Sequence, residues 1–522
     1  MLLRHPNALV IPKAAHRAHA RLFSSTSSVL ADKQKLVILG SGWGGYNVAR
    51  QVDKRLYDVT VVSPNSYFSF TPFLASTTVG TLEYRCATEP VRGIKQVNYA
   101  QGWANGIGED FAFHSFPPYL ARSLPPSPPP PPPLPYSPSC FAPYAALCSL
   151  TLCATDFARK TVEVEPAIPP PPDFARDLAG KPSRPKQEVY DIGYDKLVIA
   201  VGCYSASFGI PGVSKYAHFL KDIRDARAIR NRLLECLEQA SLPSVTEAQK
   251  RTLLHFAVVG GGPTGVEFAA ELHDFIHQDV RRLYPNLADF FSISLYDVAP
   301  HILGSFDASL RAYAEQKFAR DKVKIKGGSK ITAVGPDWLE LEGKEKVPYG
   351  MLVWSTGLSP NPFIQKLRGV SKDEKTQSLR VGPHLTPIDD ETGRPMSDVF
   401  AIGDNCMPRD GPRLPATAQV ASQMAKYTSK TLGALARGGS LAAIERFHWR
   451  NRGSMVFIGD QRALVDRSNK SISGFRSRLA GISAWIIWRS YYMTLAMGWR
   501  NKILVPMYWT LAFVFGRDVT RF

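Results

Sequence analysis

Two glycine boxes constrain this chain more than any other feature. The first reads Gly40-Ser41-Gly42-Trp43-Gly44-Gly45 and the second Gly260-Gly261-Gly262-Pro263-Thr264-Gly265. Each follows an apolar, β-rich run and opens a helix-like stretch. In a dinucleotide fold the first Gly of such a box allows the tight turn. The second lets backbone approach a pyrophosphate, and the third lets helix and strand pack closely. The helix N-terminus then offers free N–H donors and partial positive charge to the phosphates. Gly40, Gly42 and Gly45 have this spacing, as do Gly260, Gly262 and Gly265. One box alone is a weak signal, since a Gly-rich turn need hold no ligand. Two in one chain imply two dinucleotides bound face to face, which suits an enzyme passing a hydride from a nicotinamide to a flavin.

The surrounding pattern agrees. Residues 35–39 read as a buried parallel strand, a helix through Arg50 and Val52 follows, and residues 59–62 read as the next strand. Residues 197–202 read as another strand of the same sheet. The second unit repeats the plan: strand 254–259, a helix through 266–275 and beyond, and a strand near 293–297. Residues 399–404 read as strand then turn. This predicts an α/β fold with two Rossmann-type dinucleotide-binding domains and parallel sheets, the first domain interrupted by the second and then resumed.

Composition narrows the class. The chain has 522 residues, with 63 Lys+Arg against 45 Asp+Glu and a net charge of +18. A basic excess suits nucleic acid, anionic lipid or an import signal. No nucleic-acid module is recognisable, which leaves lipid and import. The first acid is Asp32; before it come Arg4, Lys13, Arg17, Arg21 and the run Ser24-Ser25-Thr26-Ser27-Ser28. That composition predicts an organelle transit peptide over 1–32. No later apolar stretch is long enough to stop transfer, which favours the matrix. Seven Cys without regular spacing make no disulfide framework and suit an intracellular protein. There is no Cys-x-x-Cys and no metal-ligand spacing. Cys86, Cys203, Cys236 and Cys406 read as small buried residues.

Residues 102–155 break the pattern. They hold Pro125-Pro126, an unbroken Pro run from Pro128 to Pro133, and Cys148 and Cys153 in a chance Cys-x4-Cys spacing. A Pro run offers no backbone donors to a sheet. Two readings stand side by side, a surface insertion and a retained intron. Deleting the middle would join the flanks, 97–99 and 157–162, as strand–turn–strand. Residues 165–190 read as a second, solvated Pro-rich loop.

Single residues carry further expectations. The end of the second strand of a dinucleotide unit normally supplies an acid to the adenine ribose. In the first unit Ser63 stands there. In the second, Asp297 does, and a carboxylate that accepts from both ribose hydroxyls repels a 2′-phosphate and favours NADH over NADPH. Gly403 and Asp404 follow the 399–402 strand, where Asp404 either accepts from flavin ribityl hydroxyls or caps a helix. Gln419 and Gln423 lie four apart and share a helix face. In the tail, Trp485, Trp488, Tyr491, Tyr492, Trp499, Tyr508 and Trp509 interleave with Arg478, Arg489, Arg500, Lys502 and Arg517. Its longest uncharged run, 503–516, has 14 residues. A spanning helix needs roughly 20 apolar residues, so the tail reads as helices lying at a lipid surface, or as a dimer contact.

With these residues in view, the chain resembles the type II NADH:quinone oxidoreductases, the alternative NADH dehydrogenases, on their mitochondrial branch. The matching stretches are 40–45, 61–64 with Tyr67, Phe68 and Phe70-Thr71-Pro72, 208–213, 258–267, 354–357, 401–404 and 418–423, with the aromatic-basic tail. The resemblance implies that Gly40, Gly42, Trp43 and Gly45 line the FAD pyrophosphate turn, that Thr71 and Pro72 border the flavin, and that Asp404 holds the ribityl chain. It puts Gly262, Pro263, Thr264 and Glu267 on the nicotinamide side, with Gly357 near the stacked ring. Gln419 and Gln423 would sit where flavin meets quinone. Gln419, Gln423 and Glu267 are thus the catalytic candidates, although no nucleophile or essential acid–base group is assigned. The chain departs from the family in three places: Asp297 stands where a longer Glu is common, the 102–155 insert is foreign, and no calcium-binding loop is present.

The implied layout is a transit peptide (1–32), an FAD-binding domain in two parts (33–213 and 359–437), an NADH-binding domain (214–358) and a membrane-anchoring or dimerisation region (438–522). The implied reaction is ping-pong, non-proton-pumping oxidation of NADH by ubiquinone through bound FAD. It would run on the inner mitochondrial membrane, matrix side, in a peripheral homodimer. A sulfide:quinone oxidoreductase is the first rival, and the second Gly box with Asp297 speaks against it. The second rival is an apoptosis-factor-like, NADH-sensing flavoprotein, disfavoured by Gln419, Gln423 and the tail.

Overall fold

The computed structural model describes residues 33–104, 157, 159–167, 189–467, 478–496 and 498–520. The transit-peptide reading, the Pro run, Cys148 and Cys153 lie outside the described residues.

Apolar runs become strands where both faces are covered. β1 (Gln34–Leu39) leads through α1 (Trp43–Gln51) to β2 (Tyr57–Val62). β3 (Val97–Ala100) lies beyond β2, and β4 (Lys196–Ile199) pairs with the other side of β1. All these pairings are parallel. Leu36, Val37, Ile38 and Leu39 are buried, which explains a continuous apolar run in place of alternation. The first residues of the 102–155 segment and the chain after it meet in one antiparallel ladder, where Gly102–Ala104 pairs with Thr161–Pro166 and that strand with Tyr190–Gly193. The predicted join of 97–99 to 157–162 is not what forms: Val97–Ala100 pairs with β2, and it is Gly102–Ala104, inside the 102–155 segment, that meets Thr161–Pro166.

α2 (Ile223–Ser241) starts at a capping box: Asp222 accepts from the Arg224 N–H, and Asp225 accepts from the Asp222 N–H. Then come β5 (His255–Val259), α3 (Pro263–Phe275), β6 (Ser292–Tyr296), β7 (Lys324–Lys326) and β8 (Met351–Trp354). They form a second parallel sheet in the order His218–Phe219, β8, β5, β6, β7. α3 runs on beyond Phe275 as a π-turn, Ile276–Val280. β9 (Val399–Ala401) returns to the first sheet beside β4. α4 (Ala418–Ala436), capped by Thr417, packs against α1.

The C-terminal part is an antiparallel sheet, β10 (Ser454–Gly459), β11 (Arg462–Asp466) and β12 (Arg478–Gly481), followed by α5 (Ile482–Leu495) and α6 (Trp499–Phe515). Among the described residues no helix is long and apolar enough to cross a membrane. The two helices are joined by a cation–π sandwich, with the Arg489 guanidinium 4.3 Å from the ring centres of both Trp485 and Trp509. Burial lowers the Arg489 pKa to about 10. The helices are less amphipathic than the sequence suggests. α6 is apolar on nearly every side, burying Val505 and Trp509 while exposing Ile503, Phe513 and Phe515.

Candidate functional site

The two glycine boxes fold alike. β1 ends at Leu39 and α1 begins at Trp43; β5 ends at Val259 and α3 begins at Pro263. Gly40 and Gly260 take positive φ, +100° and +115°. A Cβ on Gly45 would lie 1.9 Å from the Gly40 carbonyl oxygen, and one on Gly265 2.0 Å from that of Gly260. These four glycines are demanded by the turn and by helix–strand packing. The middle ones are different. A Cβ on Gly42 or on Gly262 would meet nothing within 4 Å. The fold leaves open space at the two positions expected to face a pyrophosphate. Gly42 and Gly262 also cap their helices without any side-chain bond. Pro263, suited to the first helical position, and Thr264 stand exposed there. The residues present therefore fit two dinucleotides.

Around the first box, Trp43 Nε1 donates to Thr71 Oγ1 at 3.0 Å, and its ring lies edge-on to Phe68 at 5.0 Å. Pro72 follows in the short helical turn Thr71–Phe73. Ser63 is not placed as a ribose contact. Its side chain is buried, and its hydroxyl pairs with Ser41 Oγ at 2.9 Å beneath the box. A cavity of about 330 Å³ opens at this end of β2 instead, lined by Pro64, Asn65, Ser66, Gln101, Arg224 and Arg227.

Asp404 follows β9 and the Gly403 turn. Its Oδ2 is 3.3 Å from Cys203 Sγ, which accepts from Lys221 Nζ at 2.9 Å. Burial pushes the Cys203 thiol up to about 11, with Lys221 opposing and Asp404 reinforcing the shift. The thiol thus donates to the carboxylate. The adjacent Asn405 is buried, accepting from the Gly202 N–H at 3.3 Å and donating to the Ile199 carbonyl at 3.2 Å. Cys203, Lys221 and Asn405 carry no sequence motif and were missed. Their only signal is position: Cys203 just past a strand end, and Asn405 just past the Asp.

At the second box Asp297 follows β6. Its Oδ2 accepts from the Gly261 N–H at 2.5 Å and its Oδ1 from the Ala299 N–H at 2.7 Å. The carboxylate is tied to the glycine turn itself. Gly357 has φ +77°, and a Cβ there would lie 2.3 Å from the Phe208 ring. Phe208 is itself unusual, with φ 55° and 63% exposure. A short antiparallel ladder, Cys203–Ser205 against Leu358–Pro360, links the Gly357 segment to the Cys203 cluster.

Glu267 lies on α3, partly covered, and accepts from the Phe457 N–H at 3.0 Å. Burial is the main cause that raises its acid to about 8; the Phe457 N–H and the Trp488 side chain oppose it. Glu271, one turn on, accepts from Ser76 Oγ at 2.7 Å and Thr81 Oγ1 at 2.9 Å. Gln419 and Gln423 do share a face of α4, but their amides are engaged with backbone. Gln419 accepts from the Arg452 N–H at 2.8 Å and donates to the Gly453 carbonyl at 3.2 Å. Gln423 accepts from the Arg450 N–H at 3.0 Å and donates to the Arg450 carbonyl at 2.9 Å.

Comparison with known proteins puts names beside this geometry. The family model described as pyridine nucleotide-disulphide oxidoreductase matches residues 153–425, and the NDH2 C-terminal domain matches residues 451–518. The internal alternative NAD(P)H-ubiquinone oxidoreductase A1, mitochondrial, of Solanum tuberosum is 36% identical over 94% of this chain and 88% of its own length. The external NADH-ubiquinone oxidoreductase 2, mitochondrial, of Saccharomyces cerevisiae is 32% identical over 93% of this chain and 82% of its own. The structure of NDH2 from Plasmodium falciparum in complex with NADH superposes with a TM-score of 0.75 at 24% identity, covering 94% of this chain and 100% of that one.

Proposed function

The chain belongs to the type II NADH:quinone oxidoreductases, the non-proton-pumping flavoproteins that oxidise NADH with ubiquinone, and on that premise we propose which of its residues serve each part of the reaction. The carrying observation is the matched open space at Gly42 and Gly262, each at an uncapped helix start. FAD, when bound, supplies the hydride acceptor and the path of the electron pair to ubiquinone.

The remaining roles belong to the protein. Gly40, Gly42, Trp43 and Gly45 hold the FAD pyrophosphate, Thr71 and Pro72 border the flavin, and Gly403 with Asp404 holds the ribityl chain. Gly260, Gly262, Pro263, Thr264 and Gly265 hold the NADH pyrophosphate, Asp297 its adenine ribose, and Gly357 lies by the nicotinamide. In this assignment Ser63 acts indirectly, by fixing Ser41 under the first box. Glu267, which the resemblance put on the nicotinamide side, accepts instead from the Phe457 N–H of the C-terminal sheet; burial keeps its carboxyl protonated near neutrality, which suits it to hold a proton for quinone. Gln419 and Gln423 shape the quinone side through the backbone that they grip.

The two parallel sheets support a layout of 33–213 with 359–437 for FAD and 214–358 for NADH, with 438–522 assigned to membrane and dimer contact. The exposed Trp499, Ile503, Phe513, Val514 and Phe515 support a lipid-facing tail. Mitochondrial relatives and the acid-free first 31 residues support peripheral residence on the inner membrane, with the matrix face favoured.

The test is oxidation of NADH and NADPH by the purified, FAD-loaded protein in lipid, with and without ubiquinone. Fast, quinone-dependent NADH oxidation is expected. A bound flavin that neither nicotinamide reduces would overturn the assignment of the second box.

A further inference from the structure

We propose that residues 446–452 form a cationic strap that binds the phosphates of an anionic phospholipid surface. This rests on the lipid-facing reading of the tail and adds the headgroup charge that the protein selects.

The segment 446–452, between α4 and β10, lies in no helix or strand, yet its side chains alternate. Arg446, His448, Arg450 and Arg452 are exposed, while Phe447, Trp449 and Asn451 are half-buried. Its backbone is fixed from beneath. Tyr427 Oη donates to the Glu445 carbonyl at 2.8 Å, and the Phe447 N–H donates to the Pro383 carbonyl at 2.9 Å. The Gln423 and Gln419 amides then clasp Arg450, Arg452 and Gly453. Phe447 lies edge-on to Tyr427 at 5.5 Å. Among the described residues no carboxylate forms an ion pair with Arg446, Arg450 or Arg452.

A charge run is ordinarily a solvated face, and two features separate this one from that case. It is preorganised: three guanidinium groups stand on a backbone that is already hydrogen-bonded, so little order remains to be lost on binding. Guanidinium also matches phosphate oxygens in a two-point fork. It is also joined through the core to the helices that carry the apolar surface. The strap feeds β10, whose buried Phe457 ring packs 5.6 Å from the buried Trp488 ring of α5. From there α5 and α6 expose Ile482, Ile486, Trp499, Ile503, Phe513 and Phe515. Apolar groups that enter lipid beside arginines that meet headgroups are the chemistry of a membrane-surface element. Docking by the strap would place the Gln419 and Gln423 amides at the lipid face, where a lipid-dissolved quinone arrives.

The experiment is flotation of the full, FAD-loaded chain with two kinds of vesicle, pure phosphatidylcholine and phosphatidylcholine mixed with phosphatidylglycerol. The triple variant Arg446→Gln, Arg450→Gln, Arg452→Gln is compared with a charge-matched control, Lys322→Gln, Lys344→Gln, Lys375→Gln, at exposed sites elsewhere. Each surface arginine contributes about fivefold in partitioning, so the strap variant should lose on the order of a hundredfold in affinity for anionic vesicles. The control should lose little, and binding to neutral vesicles should not change. Salt should erase the wild-type preference for anionic vesicles. Equal binding of the wild type to both vesicles, or equal losses in both triple variants, would overturn the strap and leave the apolar tail standing. No binding to either vesicle would overturn the lipid-facing tail itself, and the strap with it.

Discussion

Arg517 and Asp279 form a two-point clasp between the end of the chain and the π-turn that follows α3. The Arg517 guanidinium donates to Asp279 Oδ2 at 2.8 Å, and the Arg517 backbone N–H donates to Oδ1 at 3.0 Å. The same guanidinium reaches Thr81 Oγ1 at 2.8 Å and stands 3.7 Å from Glu271. One side chain thus ties the tail to helix α3 and to the segment before β3.

Removing it strands charge. Both side chains are over nine-tenths buried, so Arg517→Met leaves the Asp279 carboxylate buried without its partner. Loss of one member of such a pair costs about 3–5 kcal/mol. Thermal unfolding should show that loss, and Asp279→Asn added to Arg517→Met should restore part of it. A wild-type midpoint in the single variant would refute the clasp.

The glycines of the first box should separate into two kinds. Gly42→Ala places its methyl in open space at an allowed backbone angle. It should cost the cofactor-free protein under about 1 kcal/mol while sharply weakening FAD retention. Gly45→Ala meets the Gly40 carbonyl and should prevent folding. Flavin content and circular dichroism of the purified variants decide this; full FAD retention in Gly42→Ala would remove Gly42 from the cofactor contact.

Glu267 carries a pH signature. Burial raises its acid from 4.5 to about 8. The folded state therefore holds this proton more tightly than the unfolded chain does. Its contribution to stability is full below the ordinary carboxyl range and is lost as pH climbs through about 8. Glu267→Gln should flatten the fall of the melting temperature between about pH 5 and about pH 8. An unchanged slope would assign the dependence to other groups. The same variant should slow the quinone half-reaction more than flavin reduction by NADH, which stopped-flow absorbance separates.

Asp297 is bonded to the Gly261 and Ala299 N–H groups, so truncation to Ala would disturb the turn as well as the charge. Asp297→Asn is the cleaner probe, because its remaining oxygen can still accept. The preference for NADH over NADPH, read as a kcat/KM ratio, should fall by about tenfold or more, equivalent to about 1.4 kcal/mol. An unaltered ratio would show that another group selects the nucleotide.

Much of the architecture was legible because its signals are local. The runs before Gly40 and Gly260 are continuous and apolar, and each glycine spacing is complete within six residues, so the βα units could be read directly. The side chains that reach across the chain could not. Ser63 stands where a ribose contact belongs, yet pairs with Ser41 under the box, and nothing in the strand pattern sets that direction. Cys203 read as a buried apolar residue but bridges Lys221 and Asp404. Gln419 and Gln423 read as a shared helix face, correctly, but their backbone partners lie in a segment without periodicity. The Arg517 clasp joins residues 238 positions apart, and the tail's aromatic pattern gave no hint of it.

The return of β9 to β4 governs the order in which the protein can be built. Val399–Ala401 pairs with Leu197–Ile199, and every residue of the second parallel sheet is translated between them. During synthesis the first sheet stays one strand short until that whole unit has emerged. Asp404, just past β9, is then among the last parts of the flavin site to arrive. A chain cut short before Val399 could form the second sheet and still fail to close the first, so truncated products are expected to be recognised by the absence of colour.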